Sequence, residues 1–246
     1  MNSKTEAIVL HTVRYGDSRL IVDTYTREHG RLSFIVSVGR SGRPQPKKQY
    51  FHPLSLLAVE AVVRPQRQLQ TLRSVELLSP AASIHAEPGK IAIALFVAEF
   101  LYHALRDEQR DVRLFDYVRS SIEWLDSRGD RYANFHLVFL MHLSRFLGFF
   151  PNLSSHPSTP TSHPYFDLRA AAFCSSPPDH PDYLMPEEAG RVHPLMRMDF
   201  ATMHLFRLSR AERARLLEVI VRYYRLHLPA FPELRSLDVL HELYNG

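Results

Sequence analysis

Five short strand-like stretches, alternating or almost continuously apolar, fill the first eighty positions, and most of the links between them are too short to hold a crossover helix. That pattern admits little besides a small, largely antiparallel β structure. Ala7, Val9 and Val13 alternate in the first stretch, and Tyr15-Gly16-Asp17-Ser18 reads as a turn. Leu20, Val22 and Tyr25 follow, and Glu28-His29-Gly30 turns the chain into a third stretch. There Leu32, Phe34, Val36 and Val38 alternate against Arg31, Ser33 and Ser37. Leu54 to Val63 is almost continuously apolar, as a strand in a barrel wall is, and Leu69 to Leu78 supplies a fifth after Pro65-Gln66. Five such strands are expected to close into a barrel, and the oligonucleotide-binding (OB) fold is the commonest five-stranded solution of this size.

After Pro80 the period changes from two to that of a helix. A helix is expected from Pro88 to about Leu105, with Pro88 in its first turn and Glu87 at the positive end of its dipole. A second runs from Val112 to Leu125, with Leu114, Phe115, Val118, Ile122 and Leu125 at helical spacing, and a third from Asn134 to Leu147 is apolar nearly all round. The acidic cluster Asp107, Glu108 and Asp111 fits the start of the second, where carboxylates are favoured, and Trp124 is assigned to the core. Phe149 to Tyr183 carries seven prolines, so no long element survives there, and a short strand pair between Tyr165 and Cys174 is the most it holds. Glu187 to Met198 reads as a short helix or turns. Ser209 and Glu212 form a capping box for a helix that Pro229 and Pro232 stop near Leu228, and Ser236 to Tyr244 closes the chain. The expected fold is thus α+β in two domains: an OB barrel over residues 1–80, and a helical domain over 81–246 with an irregular insert at about 150–184.

Charge is unevenly spread over this layout. The first eighty residues hold 12 Lys or Arg against 6 Asp or Glu, and the remainder 18 against 20, which points to a polyanion partner for the barrel. Arg40, Arg43, Lys47 and Lys48 lie in one loop with no acid among them, kept irregular by Gly39, Gly42, Pro44 and Pro46. Arg14, Arg19 and Arg31, at strand ends, are candidates for the same face, with Tyr15, Tyr50 and Phe51 as nearby rings for stacking bases. No residue reads as a base-edge reader, so binding is expected to be largely independent of sequence. A second row, Arg215, Arg222 and Arg225 on the late helix with Arg235 after the proline turn, is a candidate receptor for an acidic peptide with an apolar end.

Enzymatic chemistry finds no foothold. There is no G-x-S-x-G elbow, P-loop or G-x-G-x-x-G. No metal or other cofactor is expected, because His156, His163, Cys174 and His180 match no compact ligand spacing, and His136 and His142 are six apart on a helix. The single cysteine allows no internal disulfide, no window approaches the roughly 18 apolar residues of a membrane span, and the first residues do not read as a secretory signal, so a cytoplasmic protein is expected.

The order and spacing of several short motifs resemble the RecO family of bacterial DNA-repair proteins. They are Val9-Leu10 ending the first strand, Thr26 with Gly30, Gly39-Arg40, His52-Pro53, Leu69 to Glu76, Leu143 to Phe149 (LSRFLGF) and Leu234-Arg235-Ser236. The resemblance implies an N-terminal OB fold, a helical C-terminal domain and a recombination mediator. Such a protein binds single- and double-stranded DNA, anneals complementary strands and acts with RecR. Through its helical domain it recognises the acidic C-terminal tail of single-stranded DNA-binding protein, and it helps load the recombinase. The sequence departs from the family at the four-cysteine zinc site that many members carry, of which only Cys174 is present, and at Leu237, where the family's final K-S-R has arginine. An RNA-binding OB factor or a non-catalytic scaffold is the alternative.

Overall fold

The computed structural model describes residues 2–38, 46–64, 66–106, 108–152 and 164–245. Strands β1 (Asn2–Tyr15), β2 (Arg19–Thr26), β3 (Gly30–Ser37), β4 (Leu56–Val62) and β5 (Leu69–Ser79) close into a barrel in the order β1-β2-β3-β5-β4. All pairs are antiparallel except β3 and β5, which meet over Ser33↔Leu69, Phe34↔Gln70 and Ile35↔Thr71. β1 is longer than its alternation suggests. Its first half pairs with β4 and its second half with β2, and the register shift between Val9 and His11 lets one strand bend from one partner to the other. The inward positions (Ala7, Val9, Leu20, Val22, Phe34, Val36, Leu57, Val59 and Ala61) form the barrel core together with Phe51, which enters from a 3-10 turn at Lys48–Phe51. The strand period thus decides the barrel, and a ring from a connecting segment plugs it.

The chain divides into two compact units, residues 1–129 with 233–244 and residues 130–232. In the first, the barrel is joined by α1 (Ala82–Ala86), α2 (Pro88–Ala104), α3 (Val112–Ser127) and α8 (Ser236–Asn245). α1 has no counterpart in the sequence pattern; its Ser83 and Ile84 N–H groups are capped by Asp126 from α3, a partner more than forty residues away. α2 begins at Pro88 and is apolar on almost every side. Lys90 is nevertheless fully buried in it, with its ammonium held by Ser83 Oγ, the Arg128 carbonyl and the Glu87 carboxylate. Asp111 caps α3 by accepting from the Arg113 and Leu114 N–H groups, as the acidic cluster suggests. Trp124, assigned to the core from sequence, is only half-buried and lies against the Arg128 guanidinium.

Barrel and α3 are locked by charge. Arg27 makes a bidentate pair with Asp116 at 2.6 and 3.1 Å, and Arg119 reaches both Glu6 oxygens at 2.8 and 2.7 Å. The β2–β3 turn is closed by Gly30 at φ +67°, where a Cβ would stand 2.6 Å from the Gln109 carbonyl carbon.

The second unit holds α4 (Phe135–Phe146), a three-stranded sheet of β6 (Tyr165–Asp167), β7 (Ala172–Cys174) and β8 (Tyr183–Leu184), then α5 (Pro186–Ala189), α6 (Val192–Arg197) and α7 (Arg210–His227). α4 is buried nearly all round, His136 included. The expected pair between Tyr165 and Cys174 forms and gains β8 as a third strand, with Phe166 packed edge-on against Phe173. The Ser209–Glu212 capping box opens α7 as its spacing requires.

Candidate nucleic-acid interface

Strand register decides which cations share a neighbourhood. In the β1–β2 hairpin Tyr15 faces Arg19 across the turn, and Gly16 at φ +69° makes that turn possible. The Val38 N–H donates to the Ser18 carbonyl at 2.8 Å, bringing the start of the β3–β4 connection to the hairpin. Its far end returns to the same place, because Thr12 Oγ1 donates to the Phe51 carbonyl at 2.9 Å. Arg14, Arg19, Lys47 and Lys48 therefore gather at one end of the barrel, all exposed. Arg40 and Arg43 lie outside the described residues.

Of the three rings near these charges only Tyr15 is presented to solvent, at 48% exposure, with the Arg19 guanidinium 5.2 Å from its centroid. Phe51 belongs to the core and Tyr50 packs against it. An exposed aromatic face beside exposed cations can stack a base while holding its phosphate.

Arg31 is placed differently. Its guanidinium stacks 4.4 Å from the Tyr102 ring centroid, donates to the Tyr102 carbonyl at 3.2 Å and lies 3.8 Å from Asp23. Its side chain is 15% exposed, so it ties β3 to α2 and offers no open face to a phosphate. Asp23 accepts from Ser33 Oγ at 2.5 Å and lies 3.5 Å from His11. Burial works to raise its pKa, but the His11 and Ser33 hydrogen bonds and the Arg31 charge outweigh it and hold the carboxyl below its ordinary value.

The β4–β5 loop supplies two cations outside the basic run, Arg64 and Arg67, both exposed. The amide of Gln70, buried at 3% exposure, fastens that loop: it accepts from the Arg64 N–H at 2.9 Å and donates to the Arg64 and Arg67 carbonyls at 3.0 and 2.6 Å. Since β5 enters beside Ser33 while the hairpin lies beside Ser37, Arg64 and Arg67 flank the other end of the β2–β3 face. The sequence signal was present, an arginine on each side of the Pro65-Gln66 break, as Arg14 and Arg19 stand on each side of the first turn.

On α7, Arg215, Arg222 and Arg225 are exposed, as their spacing implies, while Leu216, Ile220 and Tyr223 are buried. Arg215 pairs with Glu188 at 2.6 Å and Glu218 at 3.2 Å; Arg222 bonds Asp182 and the Pro181 carbonyl, each at 2.7 Å. Arg225 reaches the Pro232 carbonyl at 3.4 Å. Arg235 is not brought to this row as part of one unit: it stands just before α8 in the first unit, where its N–H donates to Glu99. Beside Arg215 a cavity of about 350 Å³ opens between α6 and α7, with an apolar floor of Leu184, Val192, Leu195, Leu216 and Val219 and a charged rim of Arg191, Arg215, Glu187, Glu188 and Glu212.

Among the described residues no three His, Cys, Asp or Glu side chains come together as metal donors. Cys174 stands on β7 with its thiol pushed up by burial and by the nearby Asp167, which is the opposite of a thiolate ligand. The donor set thus does not fit a zinc site of the four-cysteine kind.

A closed five-stranded barrel in this order, with an aromatic–arginine hairpin and lysines at one end, defines an OB-fold protein followed by a helical region. The comparisons with known proteins make the class specific. Residues 1–81 match the family model "Recombination protein O N terminal" and residues 85–238 match "Recombination protein O C terminal". The chain is 50% identical over 246 residues to the DNA repair protein RecO of Bacteroides fragilis, and 49% identical over 245 residues to that of Phocaeicola vulgatus, each covering 100% of both chains. It is 36% identical to the RecO of Porphyromonas gingivalis, with 98% of each chain covered. The chain belongs to the recombination protein O family, and its role lies in DNA repair and recombination.

Proposed function

We propose that this chain is a non-enzymatic recombination mediator of the cytoplasm. It binds single- and double-stranded DNA at the hairpin end of its barrel, anneals complementary strands, and acts with RecR and with single-stranded DNA-binding protein to help load the recombinase. The observation that carries the reading is the convergence of Arg14, Tyr15, Arg19, Lys47 and Lys48 at one barrel end, in a chain half identical to DNA repair proteins. Arg40 and Arg43 belong to the same connection in sequence and join this set; Arg31 supports it from behind. Neutralising the phosphates of two strands removes the repulsion that keeps them apart, which is the physical content of annealing by a protein without a catalytic site.

The acidic tail of single-stranded DNA-binding protein is assigned to the cavity between α6 and α7. Leu195, Leu216 and Val219 offer an apolar seat, and Arg191 and Arg215 exchange Glu212 and Glu188 for the tail's carboxylates. Arg222 and Arg225 extend the cationic row along α7. The test is annealing of complementary strands, naked and coated with single-stranded DNA-binding protein. Charge reversal of Arg14, Arg19, Lys47 and Lys48 is expected to abolish annealing of both. Arg191→Glu with Arg215→Glu is expected to slow only the coated strands, by tenfold or more. Equal rates for this double variant and the parent on coated strands would move the tail elsewhere.

A further inference from the structure

At the start of the second unit lies a smaller cavity, of about 150 Å³, whose lining differs in kind from the apolar one. It includes Arg131, Asn134, His204, Phe206, Arg207 and Arg213, and no carboxylate is among its lining residues. Three guanidinium groups border one small space, which suits it to an anion that can take hydrogen bonds from more than one of them. Arg213 is buried at 9% exposure and its guanidinium is set in place by the Leu208 and Ser209 carbonyls, so it is oriented before any ligand arrives. Arg207 is exposed, and Arg131 meets Asp130 only across 3.5 Å of open surface, a pairing that contributes little.

Two neighbours narrow the class of anion. Asn134 is buried at 6% exposure. Its Nδ2 donates to the Met203 and Phe206 carbonyls at 3.0 and 2.9 Å, which fixes the amide orientation and leaves Oδ1 buried without a hydrogen-bond partner. That atom is an acceptor, and a ligand that brings a donor as well as negative charge would satisfy both it and the arginines. Phe206, half-buried, adds an aromatic surface to the same lining. Guanidinium groups, one acceptor and one ring are the combination that holds a nucleotide: phosphate, sugar or base N–H, and base face.

We propose that this cavity is a second nucleic-acid site, which takes one phosphodiester and its nucleotide from the second strand during annealing. The inference rests on the DNA-binding reading of the barrel, and it adds a separate anchor in the other compact unit. A protein with one phosphate-binding face can only lower the repulsion between strands. One with a face on each unit holds the incoming strand as well.

The experiment uses the full chain with Arg131→Glu and Arg207→Glu together, both exposed positions, and thermal unfolding to confirm that the fold is kept. Annealing of two naked complementary strands, read by energy transfer between end labels, is expected to fall tenfold or more. Affinity for a single labelled strand, read by anisotropy, is expected to fall less than threefold, and Arg131→Lys with Arg207→Lys to retain annealing. Unchanged annealing would overturn the proposal. An equal fall in both readouts would place the cavity on the path of the first strand and overturn the second-strand assignment. Loss of binding to an acidic peptide with annealing intact would make it a peptide site instead. The barrel is judged separately: if charge reversal at Arg14, Arg19, Lys47 and Lys48 leaves single-strand affinity intact, that reading fails, while the behaviour of the Arg131 and Arg207 variant still decides this one.

Discussion

At the scale of single residues, Gly30 does the most with the least. Its left-handed backbone closes the β2–β3 turn, and its missing side chain lets the Gln109 backbone come within reach of Tyr25, whose hydroxyl donates to the Gln109 carbonyl at 3.2 Å. Gly30→Ala adds backbone strain of about 1–2 kcal/mol and an overlap with main chain that has no flexible end to give way. Urea unfolding is expected to show a loss of more than about 2 kcal/mol; a loss under about 0.5 kcal/mol would mean that the turn shifts freely. Asp23 is the second residue with a measurable signature. Because its folded-state pKa lies below the unfolded value, its stabilisation is complete above the ordinary carboxylate range and is lost as pH falls through the lowered value. Unfolding midpoints of Asp23→Asn and the parent are therefore expected to differ at pH 7, with the gap closing as pH falls below the ordinary carboxylate range. A constant gap across that range would show that the carboxylate charge is not what holds Arg31 and His11.

The elements show why a loop's position is not the same as its charge. Gln70, one buried amide, fixes the β4–β5 loop at three points and so decides where Arg64 and Arg67 stand. Gln70→Ala is expected to cost about 1–2 kcal/mol in thermal unfolding and to weaken DNA binding although residue 70 itself is buried. Full affinity would show that Arg64 and Arg67 have no part in it. On α7, Ser209→Ala removes half of the capping box and is expected to cost about 1 kcal/mol, with no effect on DNA affinity at the barrel.

Such local devices were legible in advance: the five strand-like stretches, the Asp111 and Ser209 caps, the strand pair after Pro164 and the exposed row on α7 all follow from residues within a turn or two of one another. What escaped depends on distant partners. Arg31 looks like a free strand-end cation until Tyr102 is seen to cover it, and α1 has no signature without the Asp126 cap. Asn134 and Arg213 share a cavity although they lie far apart in the chain.

At the scale of the whole molecule, charge is divided between the two regions that the sequence distinguishes, positive in the first eighty residues and slightly negative beyond. DNA is proposed to bind at the barrel's exposed cations, and affinity of that origin would carry a thermodynamic mark: the logarithm of the binding constant falls linearly with the logarithm of salt, by about 0.7 per phosphate neutralised on a single strand. The most direct test is that slope, measured by anisotropy with a single-stranded oligonucleotide, for the parent and for the variant with Arg14, Arg19, Lys47 and Lys48 all changed to Glu. If each cation meets one phosphate, the parent slope is expected to be steeper by about 3, and the variant's affinity at low salt to be at least a hundredfold weaker. Matching slopes and affinities would contradict the assignment of DNA to this end of the barrel.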